Sequence, residues 1–447
     1  MKTEKEKFGI VLPIILLSYF MILLDNSIIF TSTVKIAQDL QLTAQTLAWV
    51  SSAYTLTFGG FQLFGGRIGD IFGRKFIFIC GLILFSLGSL MVGISASASM
   101  MIAMRAFQGI GAAILAPTSL ALLMDNYQGE IRTRGIAAYG ATAGIGASLG
   151  LVLGGVIASR FSWRYGFLIN VPVGALLLVL TMIFIKGKQE KQTGNLDFWG
   201  TFLSVIGLSA LVYSINGTSY RPVALMVALV SLGMFILIER RTSNPIVPLR
   251  LFADKQRSSA YLARFFFIGA AFAYFFLTPQ ALQQVYGFSP LLAGLAFLPV
   301  TIPQFFSATL VSRLALKVGT ARLIILAMLL VIFSTVSTAV IGLDKGYWLA
   351  VAIPMIFFGI GQGLGLSPLT IEGVANTDAN IAGAASGVVN TVHQFGQSVG
   401  MSVVVALTSK VLDPAKSYRM QLILMTVIAG FGLIAAISIK RSEGQRM

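Results

Sequence analysis

Apolar runs about 20 residues long recur from Phe8 to Ile439, each ended by a short polar stretch. A helix rises ~1.5 Å per residue, so one such run crosses the ~30 Å hydrocarbon core of a bilayer. Inside that core every backbone N–H and C=O must be satisfied within the segment, which makes each run a helix. The pattern predicts about fourteen spans: six in Phe8 to Ile185, two in Asp197 to Ile238 and six in Ser258 to Ile439. The polar stretches "KGKQEKQTGNLD" and "ERRTSNPIVPLRLFADKQR" separate these groups. The predicted fold is therefore an all-α polytopic membrane protein with a six-helix bundle (1–186), a two-helix insertion with its linkers (187–257) and a second six-helix bundle (258–447).

Composition agrees with this pattern. Of 447 residues 56% are hydrophobic and 11% charged, against roughly 25% charged in a soluble domain. The net charge of +16 raises the question of nucleic acid binding. With the N-terminus inside, however, 22 of the 32 Lys and Arg fall in cytoplasmic segments, 8 in external ones, and Arg105 and Arg264 within helices. That bias is the positive-inside signature of topology, with both termini cytoplasmic and a multi-pass plasma-membrane location. Nucleic acid is excluded as a partner. One cysteine, Cys80, and one histidine, His393, exclude a disulfide, a Cys/His metal site and an iron–sulfur cluster within the chain. The basic N-terminus before "FGIVLPIILLSYF" resembles a signal peptide, but no small-residue cleavage site follows and Asp25 interrupts the run. It reads as an uncleaved first helix.

An offset of 246 residues lays "GRIGDIFGRKFIFI" on "SRLALKVGTARLII", with Arg67 on Arg313 and Gly73 on Gly319. The same offset carries Gly150 and Gly154 onto Gly396 and Gly400. Two related halves around a central cavity are a transporter plan, with the site near the midplane.

Between the second and third spans, "GGRIGDIFGRKF" combines spaced glycines, which allow a tight turn and close helix approach, with one acid among basic residues. This stretch resembles the signature loop of the major facilitator superfamily, matched by Gly66, Asp70, Gly73, Arg74 and Lys75. The resemblance implies a latch that biases the inward–outward equilibrium. In the fourth span "RAFQGIGAA" is similar to the family pattern whose arginine, here Arg105, is associated with proton coupling. In the fifth, Gly146, Gly150, Gly154 and Gly155 resemble the antiporter segment, with Leu151 in place of its proline. "LLDNSIIFTSTV" resembles the first-helix signature of the fourteen-helix drug:proton antiporters, with Ser27 and Val34 departing from it.

Asp25 stands in hydrocarbon. Helical rise puts it about 6 Å and Arg105 about 9 Å below the outer boundary, so the two can meet if their helices adjoin. Desolvation disfavours the carboxylate and a guanidinium favours it, a balance suited to loading and releasing a proton. An intramembrane acid marks a transport site, and Asp25 is read as the coupling site and as a contact for cationic substrates. A fixed structural pair is the alternative. Asn390, His393, Gln394 and Gln397 share one face of the thirteenth span, extended by Ser386. His393 and Glu372 are further proton-coupling candidates, Glu372 at a helix end. Asn26, Asn390, Gln394, Gln397, Tyr274, Gln280 and Gln304 are candidate substrate contacts. Most phenylalanines of the ninth and tenth spans are expected to face lipid, and Arg264 to snorkel to the cytoplasmic surface.

These readings predict a multidrug exporter of lipophilic, mostly cationic compounds, exchanging them for protons by alternating access with Asp25 as coupling site. Na⁺ in place of protons is the alternative coupling ion, and the protein is expected to work as a monomer without cofactor or metal. The alternative is an exporter of one metabolite on the same fold. No G-x-x-x-x-G-K-[ST] loop is present for ATP. A membrane-embedded enzyme would need an acid near its histidine, and His393 has none within its own span.

Overall fold

The computed structural model describes residues 8–186, 197–217, 219–242, 245, 247–378 and 381–444; the linker 187–196, where the first domain boundary is expected, lies outside the described residues. The elements are α-helices: α1 (Val11–Asp39), α2 (Ala44–Phe72), α3 (Arg74–Gly93), α4 (Ala98–Asn126), α5 (Gly129–Arg160), α6 (Trp163–Leu168), α7 (Asn170–Phe184), α8 (Phe198–Asn216), α9 (Arg221–Arg241), α10 (Lys255–Val285), α11 (Pro290–Leu295), α12 (Leu298–Val318), α13 (Thr320–Ile341), α14 (Ile353–Gly373), α15 (Ala382–Thr408) and α16 (Pro414–Gly444). α6 with α7, and α11 with α12, each make one crossing. Among the described residues eleven stretches are long and apolar enough to span a bilayer. α2, α5 and α15 are also long enough, at 29, 32 and 27 residues, but are diluted by Gly, Ser and Thr. That makes fourteen membrane-length segments.

The small residues explain how the helices approach. A Cβ on Gly146, Gly150 or Gly154 would meet Leu23, Ser27 or Thr31 and Ile28 at 2.5–2.9 Å, so α5 lies almost backbone-to-backbone on α1. In the second half α15 lies on α10 in the same way: a Cβ on Gly396 would meet the Phe265 carbonyl oxygen at 2.5 Å, and one on Gly400 the Gly269 Cα at 2.3 Å. The internal repeat reappears in backbone angles. Gly73 and Gly319, 246 residues apart, end α2 and α12 with φ of +100° and +85°. Both need a residue without a Cβ.

The halves meet along three seams. Phe30 of α1 packs edge-on against Phe272 of α10 at 5.4 Å. Gly155 of α5 lets the Pro290 carbonyl approach, and Gly294 lets in that of Leu151. α2 meets α15, where Gly59 faces Gln394 and Gly387 faces Leu63. Away from the α2–α3 turn, Gln283 donates to the Thr31 carbonyl at 3.2 Å and the Leu291 N–H to Ser159 at 2.9 Å, tying the halves together at that end. The α8–α9 pair covers the α2/α15 seam, with Val212 packed between Leu56 and Phe395. The ninth-span phenylalanines correct the expectation from sequence. Phe267 and Phe276 are buried in the core and Phe272 in the seam with α1, because α10 is surrounded by α1, α14, α15 and α16. On α12, Phe305 and Phe306 are exposed to the lipid side as expected.

Gly400→Val should cost about 1–3 kcal/mol, because backbone cannot yield as a side chain can. Gly430→Ala, with nothing within 4 Å of the new Cβ, should leave the unfolding midpoint in detergent unchanged. A Gly400→Val midpoint equal to that of Gly430→Ala would contradict this packing.

Candidate functional site

A cavity of about 1400 Å³ lies between the halves and opens at the end carrying the α2–α3 turn. One wall is lined by Tyr19, Asn26, Phe58 and Tyr139, the other by Arg264, Asn390, His393, Gln394 and Gln397. Arg67, Asp70 and Arg74 lie at its mouth with Arg250, from the connection between α9 and α10.

Asp25 does not line this cavity; its neighbour Asn26 does. Asp25 and Arg105 are both fully buried and joined at 2.7 Å between Oδ2 and a guanidinium nitrogen. Gln108 donates to Asp25 Oδ1 at 2.8 Å and Asn170 donates to the same oxygen at 2.9 Å. Both amides also donate to Ser89. Arg105 donates in addition to Gln108 Oε1 at 2.8 Å and to the Val50 carbonyl at 3.2 Å, and lies over the Tyr54 ring at 4.1 Å. Five helices thus converge on one ion pair. The expected meeting of α1 and α4 at this depth occurs. Gln108, Asn170 and Ser89 escaped the sequence reading. Their signal was a polar residue alone in an apolar run, as in "RAFQG" and "FLINVPVG".

Across the cavity, Arg264 corrects a second expectation. It does not snorkel: it is 6% exposed and donates to the Leu366 carbonyl (3.2 Å), Thr370 Oγ1 (2.8 Å) and His393 Nδ1 (3.2 Å). A guanidinium only donates, so Nδ1 accepts and the imidazole is the neutral tautomer with its proton on Nε2. The Gln397 amide sits 3.1 Å from Nε2. Its oxygen, otherwise without a partner, is the atom that should face that proton, an amide orientation set by the network.

Other predicted residues lie elsewhere. Tyr274 is fully buried and stacked on Phe358 at 4.0 Å; ten residues on from Arg264, it points about 80° round the helix, toward α14. Gln280 donates to the Phe276 carbonyl of its own helix at 2.8 Å. The Gln304 carbonyl accepts from Ser307, and the residue lies off the cavity. Glu372 is buried outside the cavity, accepting from Gln256 at 2.7 Å and from Thr320. Its place repeats that of Asp125 in the first half. There Arg74, at the start of α3, binds Asp70 at 2.8 Å and Asp125 at the end of α4; Thr320, at the start of α13, binds Glu372 at the end of α14. Gly66 packs on Pro117 and Lys75 donates to the Met182 carbonyl at 3.1 Å, completing the turn.

Residues 15–401 match the Major Facilitator Superfamily. The chain belongs to that superfamily. It is a transporter rather than an enzyme, as the family and its relatives are. It is 31% identical over 407 residues to EfpA of Mycobacterium tuberculosis, an uncharacterized MFS-type transporter, covering 87% of this chain and 75% of that protein. The cephamycin export protein CmcT of Amycolatopsis lactamdurans is 32% identical over 403 residues, covering 88% and 83%. The puromycin resistance protein pur8 of Streptomyces alboniger is 32% identical over 403 residues, covering 88% and 80%. Among solved structures, a peptide transporter POT in complex with sulfate superposes with a TM-score of 0.73 at 14% identity, covering 99% of this chain and 96% of that one. An inward-facing bacterial homolog of the lysosomal transporter Spinster gives 0.69 at 15% identity, covering 98% and 99%. These two likenesses concern the fold alone.

In this superfamily member, removing one half of the buried pair leaves the other charged and unpaired. Asp25→Ala should cost about 3–5 kcal/mol, and Asp25→Ala combined with Arg105→Met should recover part of it. Thermal unfolding of the purified variants in detergent checks this; a double variant less stable than the single one would contradict it.

Proposed function

We propose that this transporter exports lipophilic small molecules, drugs among them, from the cytoplasm across the plasma membrane in exchange for protons, by alternating access. The observation that carries the reading is the sealed Asp25–Arg105 pair one residue from Asn26 on the cavity wall. The relatives named as a cephamycin exporter and a puromycin resistance protein support drugs as cargo. The bias of Lys and Arg toward one set of loops supports a cytoplasmic α2–α3 turn and therefore an inward-open cavity.

Both Asp25 oxygens accept from N–H donors, Oδ1 from Gln108 and Asn170 and Oδ2 from Arg105, an arrangement that suits a charged carboxylate. A proton arriving on Oδ2 would cancel the charge that Arg105 pairs with and leave the hydroxyl as a weaker, neutral acceptor. Protonation and the α1–α4 ion pair are therefore mutually exclusive. Loading a proton releases Arg105 and loosens α1 from α4; losing it restores the tie. This exclusivity links proton occupancy to helix arrangement, as antiport requires. Three N–H donors around the carboxylate suit a proton better than Na⁺, which needs oxygen ligands. Direct recognition of a cation by Asp25 loses its support, because the carboxylate is off the cavity wall. Cargo meets instead an aromatic surface where Tyr19 and Tyr139 stack at 4.0 Å. The Asp70–Arg74–Asp125 cluster holds the helix ends at the mouth.

Rhodamine 6G efflux from preloaded cells tests the reading at matched expression. Wild type should extrude the dye until a protonophore is added, with or without external Na⁺, and Asp25→Asn should lose about a hundredfold or more of the rate, the lower end of the effect of a lost proton-transfer group. Unimpaired efflux by Asp25→Asn would refute Asp25 as the coupling site.

A further inference from the structure

Arg264 is a buried cation on the cavity wall. Among the described residues no acid pairs with it, and its Nε has no hydrogen-bond partner although the atom is buried. Removing an ion from water is expensive unless a counter-charge compensates it, and an intramembrane charge faces protein interior or a cavity for a functional reason. Asp25 offers no compensation, since it is already engaged by Arg105.

The charges around the cavity are unevenly placed. Asp70, with its partner Arg74, sits at the end of α2, Asp197 caps the start of α8, and Arg67 and Arg250 also lie near the mouth. Arg264 lies roughly 13 Å along α10 from Lys255, beside His393. His393 is held as the neutral tautomer and adds no charge. The inner part of the cavity therefore carries a net positive charge on the second-half wall, while Tyr19, Tyr139 and Phe58 make the facing wall aromatic.

We propose that Arg264 forms an anion subsite for cargo, and that the transporter prefers amphiphilic compounds pairing an aromatic body with a carboxylate. The carboxylate completes the missing ion pair, with the Asn390 and Gln394 amides nearby on the same wall, and the ring system lies against the tyrosines. A guanidinium–carboxylate contact shielded from water is stronger than the same contact in solvent. This inference rests on the export reading above and reverses the cation preference expected from sequence.

Rhodamine 19 and its ethyl ester, rhodamine 6G, share one fluorophore and differ by the free carboxylate. Fluorescence anisotropy of both dyes on the full-length protein in detergent reads the preference directly. Wild type should bind the acid roughly tenfold to hundredfold more tightly than the ester, the range for a hydrogen bond to a charged group. Arg264→Gln should abolish that difference while keeping ester affinity, which also reports that the variant is folded. Arg264→Lys should retain part of the preference. Equal affinity of wild type for both dyes, or an undiminished preference in Arg264→Gln, overturns the subsite and leaves the export reading standing. If Arg264→Gln binds neither dye, Arg264→Lys decides: a kept preference supports the subsite, and ester binding without preference overturns it. Wild type that neither binds nor extrudes either dye overturns both readings.

Discussion

The structure turns on one requirement, that a carboxylate placed in hydrocarbon has donors on all sides. Asp25 reaches Arg105 on α4, Gln108 one turn further along the same helix and Asn170 on α7, and Ser89 on α3 accepts from both amides. A helix cannot supply these donors from its own backbone, so the neighbours must be brought in. The glycines of α5 then let that helix close over the outer side of α1. Neutralising the Asp25 carboxylate would weaken each of its contacts, which is why the arrangement suits the proton-coupled reading proposed above.

The two halves share a plan but divide the chemistry. Each packs its fifth crossing on its first through glycines, and each turns between its second and third crossings on a glycine with positive φ. Each also ties the start of its third crossing to an acid at the end of its fourth. Their buried charges differ. The first half holds a neutralised pair off the cavity, and the second a guanidinium on the cavity wall with no acid paired to it among the described residues. Under the proposals above, proton handling sits behind the cavity wall in the first half and cargo recognition on the wall of the second, coupled through movement of the halves.

Much of the site was legible in the sequence because the cost of charge in hydrocarbon makes each intramembrane polar residue conspicuous. Asp25, Arg105 and the Asn390–Gln397 stripe stand out in apolar runs, and the Gly66–Lys75 turn has a spacing of its own. Arg264 was equally conspicuous but misplaced, because a long side chain two turns into a helix has the reach to snorkel. Tyr274 was misread for a related reason: an aromatic helix offers no period that separates a lipid face from a packed one, and α10 is enclosed on nearly every side.

The sequence by itself determined the membrane class, the crossings and the turns between them, for these follow from segment length, local charge and backbone conformation. It determined the internal repeat as well, since glycines needed for close approach recur at a constant offset. Only the tertiary structure decided which polar groups meet. Whether Arg264 finds lipid, water or His393, and whether Asp25 faces the cavity or turns from it, depends on each helix's rotation about its own axis. That rotation is set by neighbours 80 to 145 residues away in sequence, and no local pattern records it.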